Sequence, residues 1–185
     1  MSVAANWWGG PGIIWFGAVL WLGGRTLKRT TVARIGLRGA EGLAIASALS
    51  AIIKGFAGRA RPFVTPGEPW HWEFAHGWSD AHFFSMPSGH TTATTAFAVG
   101  VLLATRGIGV SQRVALVVPL IASAGAVAFA RVYTDQHWLS DVLAAVVLGT
   151  VTSVVLARIH TRTRGDGYHR VMLGAAAASP VAPVA

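Results

Sequence analysis

The sequence predicts an all-α integral membrane protein, a polytopic helix bundle with about five transmembrane helices. Hydrophobic residues make up 53% of the 185 residues, whereas Asp, Glu, Lys and Arg together make up 12%. Soluble domains typically carry about 25% charged residues, and the mean hydropathy of this chain is +0.53. This composition excludes a disordered chain, a coiled coil and an ordinary soluble enzyme. Because the chain contains no cysteine, disulfides and thiolate metal sites are excluded as well.

Five apolar stretches are long enough for candidate membrane spans. A bilayer core about 30 Å thick requires roughly 20 apolar residues in a helix. The candidates are residues 7–24, 39–56, 88–105, 114–130 and 138–157. The first of these is rich in glycine and carries no charged side chain. We therefore expect the chain to cross the membrane about five times.

The segments outside these spans differ in composition. The stretch 25–38 is basic and is expected to lie at the cytoplasmic surface, where it would be attracted to anionic lipids. The long segment 58–86 between the second and third spans is polar and aromatic. We expect a single domain over residues 1–173. The segment 174–185 is rich in Ala, Pro and Val, and we expect it to be a disordered tail.

The basic residues predict the orientation of the bundle. The net charge of +8 is explained by the positive-inside rule better than by nucleic-acid binding. If the N-terminus lies outside, 11 of the 15 basic residues fall on the cytoplasmic side. The remaining four are Lys54, Arg59, Arg61 and Arg131. Topology does not account for these four, which makes them candidates for a functional site.

The first candidate motif is Lys54-Gly-Phe-Ala-Gly-Arg-Ala-Arg61-Pro62. Lys54 and Arg61 are seven residues apart, so in a continuous helix they would project from one face. Pro62 prevents the helix from continuing regularly. Two cations on one face at a membrane surface could bind an anion, and the alternative is that they reach toward lipid headgroups.

The second motif, Pro87-Ser88-Gly89-His90, stands where the third span begins. The N-terminus of a helix offers free N–H groups and a partial positive charge, which favour phosphate binding. Gly89 allows the backbone to approach a ligand closely, and Ser88 could cap the helix or donate to a phosphate oxygen. His90 could act as an acid or a base near neutral pH. The alternative is a plain helix cap followed by an interfacial histidine.

The third motif extends from Arg131 to His137 and Asp141. His137 and Asp141 are four residues apart and would share a face if both lay in one helix. A carboxylate beside an imidazole can fix its tautomer and orientation. An ionisable group inside an apolar span, such as Asp141, is a functional candidate by default. A structural ion pair is the alternative.

Together the three motifs, Lys54-x6-Arg61-Pro62, Pro87-Ser88-Gly89-His90 and Arg131-x5-His137-x3-Asp141, resemble the signature of the type 2 phosphatidic acid phosphatase family. The resemblance spans residues 54–141. One position departs from the pattern, since Ala130 precedes Arg131 where the family often has Ser. That departure puts one hydrogen bond to phosphate or backbone in doubt.

The resemblance implies a role for each matching residue. His137 would be the nucleophile that forms a phosphohistidine, and Asp141 would hold its imidazole. His90 would protonate the leaving oxygen and then activate water. The phosphate oxygens would be bound by Lys54, Arg61, Ser88, Gly89 and Arg131. These cations and helix-end amides could stabilise phosphoryl transfer without a metal or other cofactor.

The expected substrate is a lipid phosphate in the bilayer, at a site on the outer face of a bacterial plasma membrane. The resemblance allows polyprenyl diphosphates, polyprenyl-linked sugar phosphates, phosphatidic acid and phosphatidylglycerol phosphate. A lipid phosphotransferase with the same site and a non-catalytic lipid-binding protein are the alternative functions. The outer loop also contains His71, His76 and His82, whose spacing matches no standard zinc site.

Overall fold

The computed structural model describes residues 2–162 and 171–173, and this part of the chain contains six α-helices and no β-strand. The helices are α1 (Ser2–Trp7), α2 (Ile13–Thr26), α3 (Thr30–Ala57), α4 (Gly89–Ala104), α5 (Val110–Tyr133) and α6 (Leu139–Arg162). The predicted all-α helix bundle is thereby confirmed. The expected tail, residues 174–185, lies outside the described residues.

Three of the helices, α3, α5 and α6, are long and apolar enough to cross a membrane. The apolar helix α4 has only 16 residues, which at 1.5 Å per residue gives about 24 Å. Helix α3 begins at Thr30 and not near residue 39, because part of the basic stretch 25–38 is helical and continues into the apolar segment. Within residues 2–162 and 171–173, three helices are thus long and apolar enough to span a membrane, and shorter apolar helices accompany them.

The N-terminal stretch is not one regular helix, in contrast to the span predicted over residues 7–24. A π-helical turn, Trp8–Gly12, separates α1 from α2. Gly10 within it has φ −113° and ψ −108°, and Pro11 follows. Pro11 has no backbone N–H to continue a helical ladder, and the glycine tolerates the unusual backbone angles. The chain therefore bends here, at the end of the bundle where α4 begins.

Helix α4 occupies the centre of the bundle, with α3, α5 and α6 around it. Phe97 and Val101 are fully buried in the main apolar cluster. Small residues let neighbouring backbones approach closely: a Cβ atom at Gly149 would lie 2.8 Å from the carbonyl oxygen of Thr92. The hydroxyl of Thr92 donates to the Ser88 carbonyl at 2.9 Å, so burial leaves this polar side chain paired. These contacts hold the first turn of α4 in a fixed position.

Successive helices from α3 to α6 run in alternating directions, so the end of α3, the start of α4, the end of α5 and the start of α6 meet at one end of the bundle. The three predicted motifs lie on these four termini. At the opposite end Glu41 accepts from Arg38 at 2.7 Å and lies 3.0 Å from Nε2 of His160. The fold thus separates the predicted site from Arg38, a basic residue in the N-terminal part of α3.

The charge distribution predicts that the end carrying the motifs faces outward. Because the chain has no native cysteine, a single introduced cysteine reports on one position. We expect Glu68→Cys, at a side chain 71% exposed in the 58–86 segment, to react with an impermeant thiol reagent in intact cells. Gln112→Cys, at the start of α5, should react only after lysis. The reverse labelling pattern would contradict the orientation.

Candidate active site

A cavity of about 340 Å³ opens where these four helix termini meet. Its lining combines cationic and histidine side chains with apolar and small residues. It is lined by Gly9, Gly10, Ile14, Leu43, Ser47, Ser50, Ala51, Lys54, Arg61, Phe84, Gly89, His90, Ala93, Arg131 and His137. Six of the eight site residues predicted from the sequence therefore line one space. The other two, Ser88 and Asp141, are fully buried beside it.

The first motif reaches the cavity by a different route from the one predicted. Helix α3 ends at Ala57, and Gly58 follows in the left-handed region with φ +56°. A Cβ atom at Gly58 would lie 1.6 Å from the carbonyl oxygen of Glu73, so only glycine fits. Arg61 therefore lies in the loop after the helix, not two turns along the same helical face as Lys54. The turn at Gly58 brings Arg61 back to the cavity.

Hydrogen bonds to uncharged oxygen atoms, most of them backbone carbonyls, orient the side chains of both cations. The ammonium group of Lys54, a residue only 5% exposed, donates to the carbonyl oxygens of Phe84 and Ser85 at 2.9 and 3.0 Å. The guanidinium of Arg61 donates to Ala81 O and to Oε1 of Gln136, both at 3.1 Å. Burial lowers the pKa of Arg61 from its usual value, and the charge of Asp141 opposes this effect.

The second motif places Gly89 and His90 at the cavity and Ser88 beside it. Gly89 is the first residue of α4, and the first amides of a helix have no partner within the helix. The Ser88 hydroxyl is buried, accepts from the Thr91 hydroxyl at 3.1 Å and does not line the cavity. The Ser88 side chain is thus buried beside the cavity, and its contact with phosphate stays a prediction.

The third motif brings His137 and Asp141 together without a shared helix. His137 precedes α6, which begins at Leu139. Trp138 occupies the cap position, and its backbone N–H donates to Oδ2 of Asp141 at 2.9 Å, as in the second half of a capping box. Nδ1 of His137 lies 3.6 Å from the same oxygen. That distance exceeds a normal hydrogen bond, so in this structure the two groups are close neighbours without a hydrogen bond between them.

Two residues to which the sequence motifs assigned no role enclose Asp141. Arg59, only 2% exposed, donates to Oδ1 of Asp141 at 2.5 Å. The Ser85 hydroxyl donates to Oδ2 at 2.6 Å and lies 3.5 Å from Nδ1 of His137. The charge distribution had given a signal for Arg59, because it is one of the four basic residues that the predicted topology does not explain. No pattern in the sequence marked Ser85.

The Arg59 side chain is itself held in place on several sides. Its Nε and Nη2 atoms donate to the Pro69 carbonyl at 3.1 and 2.6 Å. Its guanidinium carbon lies 4.9 Å from the ring centre of Trp72 and 5.7 Å from that of Trp138, close enough for cation–π attraction. Arg59 therefore joins the 58–86 segment to the start of α6.

The imidazole of His137 is kept neutral at ordinary pH. Burial lowers the pKa of His137 to about 4, the contact with Asp141 opposes this, and the charges of Lys54, Arg61 and Arg131 lower the pKa further. Because the lowered pKa lies well below 7, the uncharged ring predominates at neutral pH.

We expect this shift to be visible as a histidine titration. In the detergent-solubilised protein with ¹⁵N-labelled histidine, the His137 imidazole should titrate near pH 4, well below the ordinary value of about 6.5. The spectrum of His137→Ala should lack that resonance, which assigns it. A His137 resonance that titrates near 6.5 would contradict a neutral, desolvated ring.

The remaining histidines of the 58–86 segment form local pairs. His71 Nε2 lies 3.1 Å and His76 Nδ1 lies 3.2 Å from the two carboxylate oxygens of Glu73. The backbone N–H of His82 donates to Asp80 at 2.8 Å, and this bond lowers the pKa of the Asp80 carboxyl. Among residues 2–162 and 171–173, no three His, Asp or Glu side chains come together in a metal-binding group.

These features define a helical membrane protein with a cationic, histidine-containing cavity at one end of the bundle. A sequence model of the PAP2 superfamily matches residues 37–164, more than half of the chain, and the chain belongs to this superfamily. Membership implies phosphatase-type activity on phosphate esters, often those of lipids. No curated protein and no solved structure matches the chain.

Proposed function

We propose that this protein is a membrane-embedded lipid phosphatase that hydrolyses a phosphomonoester or diphosphate through a phosphohistidine intermediate. One observation carries the proposal: a single cavity unites Lys54, Arg61 and Arg131 with His90 and His137. Phosphoryl transfer depends on positioning and on stabilisation of charge on the equatorial oxygens. Three cations around two histidines supply both.

In the first step, the neutral imidazole of His137 attacks phosphorus through Nε2, since Nδ1 faces Ser85 and Asp141. A P–N bond forms as the P–O bond to the lipid breaks. The negative charge of the bound phosphate favours the protonated form of His90, which donates this proton to the leaving oxygen, so the lipid departs as an alcohol or, from a diphosphate, as a monophosphate. General acid assistance of this kind typically contributes about 10²–10⁴-fold.

In the second step, water attacks the phosphohistidine. His90, now lacking its proton, accepts one from the attacking water as the P–N bond breaks. Inorganic phosphate leaves, and His137 is again neutral. A nucleophile oriented by a neighbouring group divides one difficult reaction into two easier ones, and Asp141 with Ser85 provides that orientation.

The apolar part of the cavity lining is suited to the hydrocarbon chain of a lipid substrate. Ile14, Leu43, Ala51 and Ala93 add an apolar lining to the cationic one. Leu43 and Ala51 precede Lys54 on α3, so they lie deeper along the bundle by about 4–16 Å at 1.5 Å per residue. A phosphate at the cations would leave its hydrocarbon chain beside this apolar surface. A free sugar phosphate would gain nothing from that surface.

The deciding experiment is a phosphate-release panel with purified protein. The panel contains a polyprenyl diphosphate, a polyprenyl monophosphate, phosphatidic acid, phosphatidylglycerol phosphate, glucose 6-phosphate and glycerol 3-phosphate. We expect one or more lipids to be hydrolysed with kcat/KM well above both soluble esters. Equal or better hydrolysis of the soluble esters would contradict the lipid assignment. Transfer of phosphate to an added alcohol in preference to water would favour the phosphotransferase alternative.

We also expect the reaction to proceed without a divalent metal, since the three cations can neutralise the phosphate. Activity should survive EDTA, and orthovanadate should inhibit because it resembles five-coordinate phosphorus. Both effects are measured by phosphate release from the best lipid in the panel. Complete loss of activity in EDTA that one metal restores would contradict this expectation and direct attention to the loop with His71 and His76.

A further inference from the structure

We propose that Asn6 and Gln136 are positioning residues whose uncharged side-chain oxygens orient the phosphate-binding guanidinium groups without neutralising them. The inference rests on the proposed function, because it assigns these groups to the binding of a phosphate. Neither of these two residues is a defining position of the three motifs. The inference also makes the N-terminal segment part of the active site.

The contacts converge on Arg131, which is 6% exposed. Nη1 of Arg131 donates to the side-chain oxygen of Asn6, and Nη2 lies 3.5 Å from Oε1 of Gln136. The same Gln136 oxygen accepts from Arg61 at 3.1 Å. One amide oxygen therefore lies between two guanidinium groups, and a second holds the far side of Arg131.

Among the described residues, the oxygen atoms that accept hydrogen bonds from the cavity cations are all uncharged. Lys54 donates to two backbone carbonyls, Arg61 to one carbonyl and one amide, and Arg131 to two amides. Asp141, the buried carboxylate nearby, is instead paired with Arg59. The positive charge of the cavity thus remains available to an anion.

The backbone bends at Gly10, and Asn6, which precedes the bend, contacts Arg131. A Cβ atom at Gly9 would lie 3.0 Å from Cβ and Cδ2 of His90, and one at Gly10 would lie 3.6 Å from its Nε2. The segment thus packs against both His90 and Arg131. It precedes residue 37, where the superfamily match begins, so this wall of the cavity belongs to the part of the chain outside that match.

A change from amide to carboxylate separates charge from shape. Asn6→Asp and Gln136→Glu keep an oxygen acceptor in the same place but add a negative charge beside the guanidinium groups. We expect the dissociation constant for orthovanadate to rise at least tenfold in each. Asn6→Ala and Gln136→Ala, which lose only orientation, should weaken orthovanadate less. The matched control is Gln112→Glu, which adds the same charge at the exposed, opposite end of α5, and it should leave the constant unchanged.

In Asn6→Asp, thermal stability should not fall with the affinity for orthovanadate, a combination that a purely structural role would not produce. An Asp at position 6 forms an ion pair with Arg131, so Asn6→Asp should have an unchanged or higher Tm while its affinity falls. Calorimetric titration with orthovanadate, together with Tm, tests this without turnover. An orthovanadate constant for Asn6→Asp equal to or tighter than that of Asn6→Ala would overturn the inference. Absence of lipid hydrolysis by the wild type would instead count against the proposed function.

Discussion

We expect His137→Ala to lose at least about 10³-fold in turnover, because removal of a nucleophile disables a catalytic unit as a whole. No P–N bond can form in this variant, so no phosphoenzyme should accumulate from any substrate. The side chain is 3% exposed at the cavity wall. Rapid-quench experiments with ³²P-labelled substrate measure phosphoenzyme directly and do not depend on the second step.

His90→Ala provides the informative comparison for that result. An alkyl lipid phosphate needs a proton on its leaving oxygen, whereas p-nitrophenyl phosphate has a good leaving group and needs less. We expect His90→Ala to form phosphoenzyme from the lipid about 10²–10⁴-fold more slowly than the wild type. The decrease in rate should be smaller with p-nitrophenyl phosphate. If His137→Ala still forms a phosphoenzyme while His90→Ala cannot, the two roles must be exchanged.

The sequence was sufficient to predict the helical membrane bundle and the convergence of the three motifs. Apolar stretches of membrane length and the order of the motifs carry that information over long distances. The local geometry was predicted less well. The spacings of Lys54 with Arg61 and of His137 with Asp141 suggested shared helical faces, yet Gly58 ends one helix and the cap at Trp138 begins the other. Helix termini depend on single residues, which spacing alone does not reveal.

The missing residues were those that act through another side chain. Arg59, Ser85, Asn6 and Gln136 contact site residues, and each of the four makes a contact that joins positions more than 50 residues apart. Such pairs arise from tertiary packing and leave no local periodicity in the sequence. Arg59 alone left a trace, as a cation that the predicted topology did not explain. Unexplained charge marked this residue, whereas the motif spacings did not.

The second large effect is expected at the ion pair of Arg59 and Asp141, whose side chains are 2% and 0% exposed. Removing one partner of a buried pair leaves the other charge uncompensated and typically costs about 3–5 kcal/mol. That is a large share of a total free energy of unfolding of about 5–15 kcal/mol. We therefore expect Arg59→Met to lower the Tm markedly and to reduce turnover. Arg106→Met, at an exposed arginine at the opposite end, should change neither.

A double variant separates the structural part of this effect from the catalytic part. In Arg59→Met with Asp141→Asn, the unpaired buried charge is gone, so most of the lost Tm should return. Activity should not return, because the amide that replaces the carboxylate provides no negative charge beside Nδ1 of His137. The coupling is measured as a double-mutant cycle with Asp141→Asn as the other single variant. Additive losses of Tm would mean that the two side chains are not energetically paired, and recovery of turnover would mean that Asp141 acts on the fold and not on His137.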